Sequence, residues 1–333
     1  MPAAESVMSP FWHGPFGAEP AVGASRGRWR TRGGSCDNDP VTPPSAETPL
    51  PTASDPIPNG PMIDPSLVSE PHPWHRYAAL GDSFTEGIGD PNPESIGGNR
   101  GWADRVAEEL SRGQSDFAYA NLAVRGRLLQ QIIDQQVDAA LALRPDLVSI
   151  SAGGNDLLRP GGDPDVLAEK LDGVVGTLAT SGATVILFTG PDVRETVLGS
   201  IRSKTAIYNE NLRVVAARHE ALIADMWALR QLTDPQMWAS DRLHFSPLGH
   251  HTIAAMVLDT LAVRHTLEPL RPKELPTRTW RAARAEDLVW AREYFVPWVL
   301  RRLRHQSSGD GIIAKRPEPV PIFGPGMPPG AAD

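Results

Sequence analysis

Short apolar runs that stop at glycine constrain this chain more than any other feature. Residues 77–80 (YAAL) end at Gly81, residues 146–152 (DLVSISA) at Gly153 and Gly154, and residues 183–189 (ATVILFT) at Gly190. Residues 221–225 (ALIAD) form a fourth run, and residues 117–122 (FAYANL) a weaker one between the first two. Runs this short, closed by glycine, suit strands buried on both faces of a parallel sheet. Apolar residues at helical spacing fill the gaps: Trp102, Val106 and Leu110, then Leu129, Ile132, Ile133, Val137 and Leu141. Residues 163–178 open on an acidic first turn with Pro164, as helices do, and residues 205–222 and 247–261 continue the alternation. Strands alternating with helices predict an α/β fold around a parallel sheet. Such sheets bind ligands outside the carboxyl ends of their strands.

The flanks read differently. Residues 1–73 are crowded with proline, which fixes φ and removes a backbone donor, so disorder is expected there. Met62 is a candidate translation start, since nothing before it is patterned. Residues 74–265 hold the predicted core domain, 266–305 a helical extension, and 306–333 a second Pro- and Gly-rich disordered tail. The 333 residues carry a formal net charge of -8 and a single cysteine, Cys36. An acidic balance gives no basic face for nucleic acid, and one cysteine excludes an intrachain disulfide or a multi-cysteine metal site. No stretch of about 18 apolar residues predicts a membrane-spanning helix. Residues 1–60 lack the apolar segment of about 7–15 residues of a secretion signal, and a cytoplasmic location is expected.

Four short segments carry the chemistry, and three of them follow the predicted strands. Ser83 lies in GDSFTEG, directly after the first apolar run; by itself, Gly-Asp-Ser suits a helix N-cap equally well. Asp241 and His244 lie in DRLH. A serine hydroxyl needs a base within hydrogen-bond reach, and the base needs an orienting group; an aspartate three positions before a histidine can fold back onto its Nδ1–H. Alone, the pair also suits a solvated surface loop. Asn155 lies in GGND and can point a side-chain N–H at a developing oxyanion, while Gly and Asn together also make a tight turn. Gly126, in NLAVRG, can present a backbone N–H. His250 and His251 sit at a predicted helix start with no acidic or cysteine ligand at metal spacing, and packing and solvation account for them.

Taken in this order, the four segments resemble the SGNH hydrolase (GDSL-type esterase/lipase) family, over roughly residues 75–263. The family is named for serine, glycine, asparagine and histidine in separate blocks, matched here by Ser83, Gly126, Asn155 and His244. The resemblance implies a flavodoxin-like three-layer α/β/α sandwich of about five parallel strands. It implies Ser83 as nucleophile, His244 as base, Asp241 as its orienting group, and an oxyanion hole made by the Ser83 N–H, the Gly126 N–H and the Asn155 side chain. One departure is Phe84 where the family motif has leucine; it keeps the position apolar. The implied substrate is a small-molecule acyl ester, with no metal or other cofactor. Lysophospholipase, thioesterase, sugar-ester deacetylase and acyltransferase chemistry, or a non-catalytic binding role on this fold, would use the same site. Residues 88–100 and 192–204 are the loops expected to shape the pocket.

The C-terminal extension lies outside the resemblance. Between residues 278 and 304 it carries seven arginines against three acidic residues, Glu286, Asp287 and Glu293. Trp280, Trp290, Phe295 and Trp298 are interleaved with them. A basic amphipathic helix of this kind either packs on the catalytic domain with its arginines solvated or makes peripheral contact with an anionic membrane through residues 279–305. Pro297 is expected to kink it.

Overall fold

Five of the predicted runs form the sheet: β1 (Arg76–Gly81), β2 (Ala118–Asn121), β3 (Leu147–Ser151), β4 (Thr184–Phe188) and β5 (Leu222–Ala224). The structure is a computed structural model and describes residues 72–112, 114–194, 196–274, 279–297, 300 and 307–322. Contacts divide the chain into residues 1–62 and 63–333, and every described residue belongs to the second unit. The expectations for Met62, Cys36 and residues 1–71 therefore fall outside the described residues. His72 is packed rather than loose, its Nε2 2.7 Å from the carbonyl of Leu110.

β1 pairs in parallel with β2 on one side and β3 on the other, and β4 and β5 follow in parallel. The period-2 alternation of strand side chains divides the core. Tyr77, Ala79, Leu147, Ile186 and Phe188 face one side, packed with helices α2 (Gly101–Leu110) and α8 (Pro247–Thr260). Ala78, Leu80, Val148, Ile150, Val185 and Leu187 face the other. That side packs with α3 (Leu129–Ile132), α4 (Asp138–Ala142), α6 (Pro164–Thr180) and α7 (Arg202–His219). The result is the expected α/β/α sandwich. A π-helical turn, Ile133–Val137, joins α3 to α4, so the apolar pattern of residues 128–143 is one helical segment with a local irregularity. Helix starts follow the sequence signals. Asp163 caps α6 ahead of Pro164, accepting from the Asp165 and Val166 N–H groups, and Ser246 caps α8 ahead of Pro247. His250 is fully buried, accepting from the Trp102 N–H at Nδ1 (3.2 Å). Its Nε2 lies 3.2 Å from the Ile88 carbonyl. It is a core residue.

The sheet has a sixth strand that the sequence did not predict. β6 (Arg316–Val320) runs antiparallel to β2, giving the order β5-β4-β3-β1-β2-β6. The expectation of disorder after residue 306 is thus corrected for residues 307–322. The two ladder positions, Arg316 and Val320, have the opposite parity to Pro317 and Pro319. The prolines therefore turn their missing donors outward, where an edge strand tolerates them. Lys315 anchors the strand: its buried Nζ donates to Asp104 Oδ2 (2.9 Å) and to the carbonyls of Asn99 (2.9 Å) and Arg100 (3.2 Å).

Two very short helices lie at strand ends, α1 (Ser83–Glu86) after β1 and α5 (Gly154–Leu157) after β3. The chain leaves the sheet in opposite directions from β1 toward β2 and from β3 toward β4, so the two helices flank the switch point where such folds bind ligands. The last helix, α9 (Trp280–Trp290), lies beyond the core; a π-helical turn, Ala291–Phe295, continues it past Trp290 and ahead of Pro297. Among the described residues no helix is long and apolar enough to cross a membrane.

Candidate active site

The end of β1 hands the chain to α1 through Asp82, whose Oδ1 accepts from the Phe84 N–H (3.1 Å). Asp82 is therefore the N-cap and Ser83 the first helical residue, so the helix N-cap that Gly-Asp-Ser also suits is present, at Asp82. Among the described residues the backbone N–H groups of Ser83 and Gly126 make no hydrogen bond, which leaves two donors open. Gly126 sits at φ +73. A Cβ there would come within 2.5 Å of Ser307 Oγ, so both its conformation and its neighbour require glycine. Its loop is held by Arg125, whose backbone N–H donates to Glu86 Oε2 (2.6 Å) and whose guanidinium pairs with Oε1. Glu86 is itself buried in α1, so the serine and glycine segments are tied together.

Asp241 and His244 form the predicted turn. Asp241 Oδ1 accepts the N–H groups of Leu243 and His244, each at 3.0 Å. Oδ2 lies 2.5 Å from His244 Nδ1. Burial pushes the Asp241 carboxyl up, but the hydrogen bonds and charge of His244 and the backbone donors outweigh it and hold it below the usual range. An ionised Asp241 fixes the proton on Nδ1 and leaves Nε2 as an acceptor. Arg242, at the centre of the turn, takes a positive φ of 57°. Its guanidinium lies over the Trp290 ring and pairs with Asp287.

Asn155 is placed less simply than the sequence suggests. Its Nδ2 donates to Asp82 Oδ2 (2.9 Å) and to the Arg127 carbonyl (3.1 Å), so both amide hydrogens have partners. Asp82 is buried, which raises its pKa to about 6, against the pull of the Phe84 donor and of nearby His244. Nothing in the sequence marks Asp82 as more than a helix cap; its contact with Asn155 follows from where the sheet buries it.

All five predicted residues, Ser83, Gly126, Asn155, Asp241 and His244, line one cleft of about 530 Å³. Both expected loops contribute to its wall, one through Ile88 and the other through Val193, Leu198 and Ile201. Leu128, Leu157 and Trp238 add further apolar surface. Asp192 pins the second loop, its carboxyl held down at about 2 by the hydrogen bonds and charge of Arg202 and its neighbours. The rest of the wall was not foreseen. Glu293, Tyr294 and Pro297 enter from the α9 segment, and Ser307 and Ser308 from the turn before β6. Those residues are far from the motifs in sequence and carry no signature of their own. Among the described residues no group of three or more His, Cys, Asp or Glu is arranged to hold a metal ion.

Comparison with known proteins gives three kinds of likeness. An uncharacterized protein of Bacillus subtilis (strain 168), YpmR, is 33% identical over 88 residues, covering 25% of this chain and 32% of that protein. The chain thus matches about a third of that relative's length. Similar solved structures include LAE5, an alpha/beta hydrolase enzyme from the metagenome of Lake Arreo, Spain. It is 23% identical over 56% of this chain and 95% of its own, with a TM-score of 0.48. Axe2, an acetylxylan esterase from Geobacillus stearothermophilus, is 18% identical over 56% of this chain and 94% of its own, with a TM-score of 0.47. The sequence model described as the GDSL-like Lipase/Acylhydrolase family matches residues 79–252, just over half of the 333 residues. That span runs from β1 into α8 and takes in all four motif segments, and by that match the chain belongs to the GDSL-like lipase/acylhydrolase family.

Proposed function

We propose that this protein hydrolyses carboxylic esters of apolar acyl groups, with Ser83 as nucleophile, His244 as general base and acid, and Asp241 as its orienting group. The observation that carries the reading is the 2.5 Å Asp241–His244 contact in the cleft that Ser83 also lines. Ser83 Oγ attacks the ester carbonyl carbon as His244 Nε2 takes the hydroxyl proton. The carbonyl oxygen becomes an oxyanion, received by the open N–H groups of Ser83 and Gly126. Asn155 joins them by exchanging its longer bond, to the Arg127 carbonyl, for one to the oxyanion, while Asp82 keeps hold of the other amide hydrogen. Collapse of the tetrahedral adduct breaks the bond to the alcohol oxygen, which leaves with the proton from Nε2. Water then attacks the acyl-enzyme, giving its proton to Nε2, and collapse releases the acid and restores the Ser83 hydroxyl. The apolar side chains along the cleft favour an acyl chain over a sugar, since mainly hydrophobic pockets recognise ligands by burying apolar surface.

A fluorophosphonate probe tests the nucleophile directly. Wild-type protein should be labelled at Ser83 and a folded Ser83→Ala variant should not. Labelling that survives in Ser83→Ala would refute the assignment. A series of nitrophenyl esters from acetyl to palmitoyl then reads the acyl preference, and maximal kcat/KM for acetyl would overturn the apolar-chain reading.

A further inference from the structure

α9 meets the catalytic core along one side only. Trp290 Nε1 donates to the Asp241 carbonyl (2.9 Å), Asp287 pairs with Arg242 (2.7 Å), and the Tyr294 and Ser240 hydroxyls are 3.2 Å apart. The other side is turned to solvent. Trp280 is 70% exposed and Leu288 74% exposed. At 100° per residue, Trp280, Arg281, Arg284 and Leu288 fall within one arc of the helix. Arg281, Arg284 and Arg292 are all exposed, and the Arg281 guanidinium lies over the Trp280 ring.

The acids of the segment are paired or lie elsewhere. Asp287 borders the arc, about 20° from Trp280, and its charge is paired with Arg242. Glu293 lines the cleft. Glu286 projects from the opposite side of the helix to Leu288, two residues and about 200° away. A helix whose exposed arc joins arginine, tryptophan and leucine, with the one bordering carboxylate paired to Arg242, has the chemistry to meet an anionic lipid surface. Guanidinium groups reach the lipid phosphates, their stems and the indole lie at the headgroup level, and leucine enters the acyl boundary.

We propose that the outer face of α9 docks this protein on anionic membranes. The same segment supplies Tyr294 and Pro297 to the cleft wall, so docking holds the cleft close to the lipid boundary, where esters of lipid chains are held. That last step rests on the hydrolase reading above; the docking does not.

The test uses the full chain and vesicles of phosphatidylcholine, with or without phosphatidylglycerol. Wild-type protein should sediment with the phosphatidylglycerol-containing vesicles, less so at high salt, and not with phosphatidylcholine alone. One arginine near an anionic surface is worth about a fivefold change in partitioning. Arg284→Glu both removes one positive charge and adds a negative one, so with Leu288→Glu it should lower partitioning by at least about 25-fold. The double variant should keep the wild-type thermal transition. Ser83→Ala should bind vesicles like wild type, so docking and hydrolysis can fail separately. Absence of wild-type binding to the anionic vesicles would overturn the proposal and leave the face to a protein partner. Undiminished binding by the folded double variant would overturn it as well.

Discussion

Asp82 and Asn155 hold each other across the ends of two adjacent strands, and the behaviour of the site turns on that hydrogen bond. Replacing Asn155 with alanine removes a candidate oxyanion donor and should lower kcat by about 10²–10³-fold, read by steady-state kinetics on a nitrophenyl ester. A folded variant with unchanged kcat would leave Asn155 as only a tie between loops. Asp82 makes a second prediction. Its pKa is raised from 3.8 to about 6 by burial, so the folded protein holds the proton more tightly than the unfolded chain. The folded state therefore loses stability as pH rises from about 4 to about 6, by up to about 3 kcal/mol. Asp82→Asn cannot ionise. Urea unfolding across this range should show the wild type losing ground to the variant as pH rises, then a constant difference above pH 6. A difference that does not vary with pH would exclude the ionisation. His244 and Asp241 were legible because an Asp-x-x-His turn is local. The partners of Asn155 were not, because Asp82 and the Arg127 carbonyl reach it only once β1 and β3 lie side by side.

At the scale of elements, the five parallel strands could be read because each is a short apolar run buried by helices on both faces, three of them closed by glycine. β6 could not. Arg-Pro-Glu-Pro-Val has neither an apolar run nor a clean alternation, and two prolines argue against a strand unless the strand is an edge. Its anchor is an ion pair, not apolar burial. The side chains of Lys315 and Asp104 are only 3% and 4% exposed. Lys315→Met would leave Asp104 buried without its cation, with only the Tyr119 hydroxyl still donating to it. That should cost about 3–5 kcal/mol in denaturant unfolding. Replacing Asp104 with leucine in the same molecule should recover part of the loss, because the stranded charge goes with it. A loss below about 1 kcal/mol for Lys315→Met would mean that β6 is held by its ladder alone.

The whole molecule appears most clearly in the cleft, which no single stretch of sequence encloses. The ends of β1 and β3, the loops after β1 and β4, and the segments flanking the α9–β6 connection all line it. Composition along the chain separates a catalytic domain from a tail, yet the tail completes the domain's wall. Leu198, on the loop after β4, gives a direct handle on cleft size. Leu198→Trp should reduce kcat/KM for a dodecanoyl ester relative to an acetyl ester by about tenfold or more, a discrimination within reach of one altered apolar contact. Equal effects on both esters would place the acyl chain elsewhere in the cleft.

The order in which these parts leave the ribosome gives β6 one more consequence. Every motif residue has been synthesised by His244, but Ser307 beside Gly126 and the strand covering the edge of β2 are made only afterwards. A product terminated between them carries every motif side chain, with the edge of β2 bare and Ser307 absent from beside Gly126. Truncation before β6 thus trades a covered sheet edge for an open one, the kind of edge on which chains pair with one another.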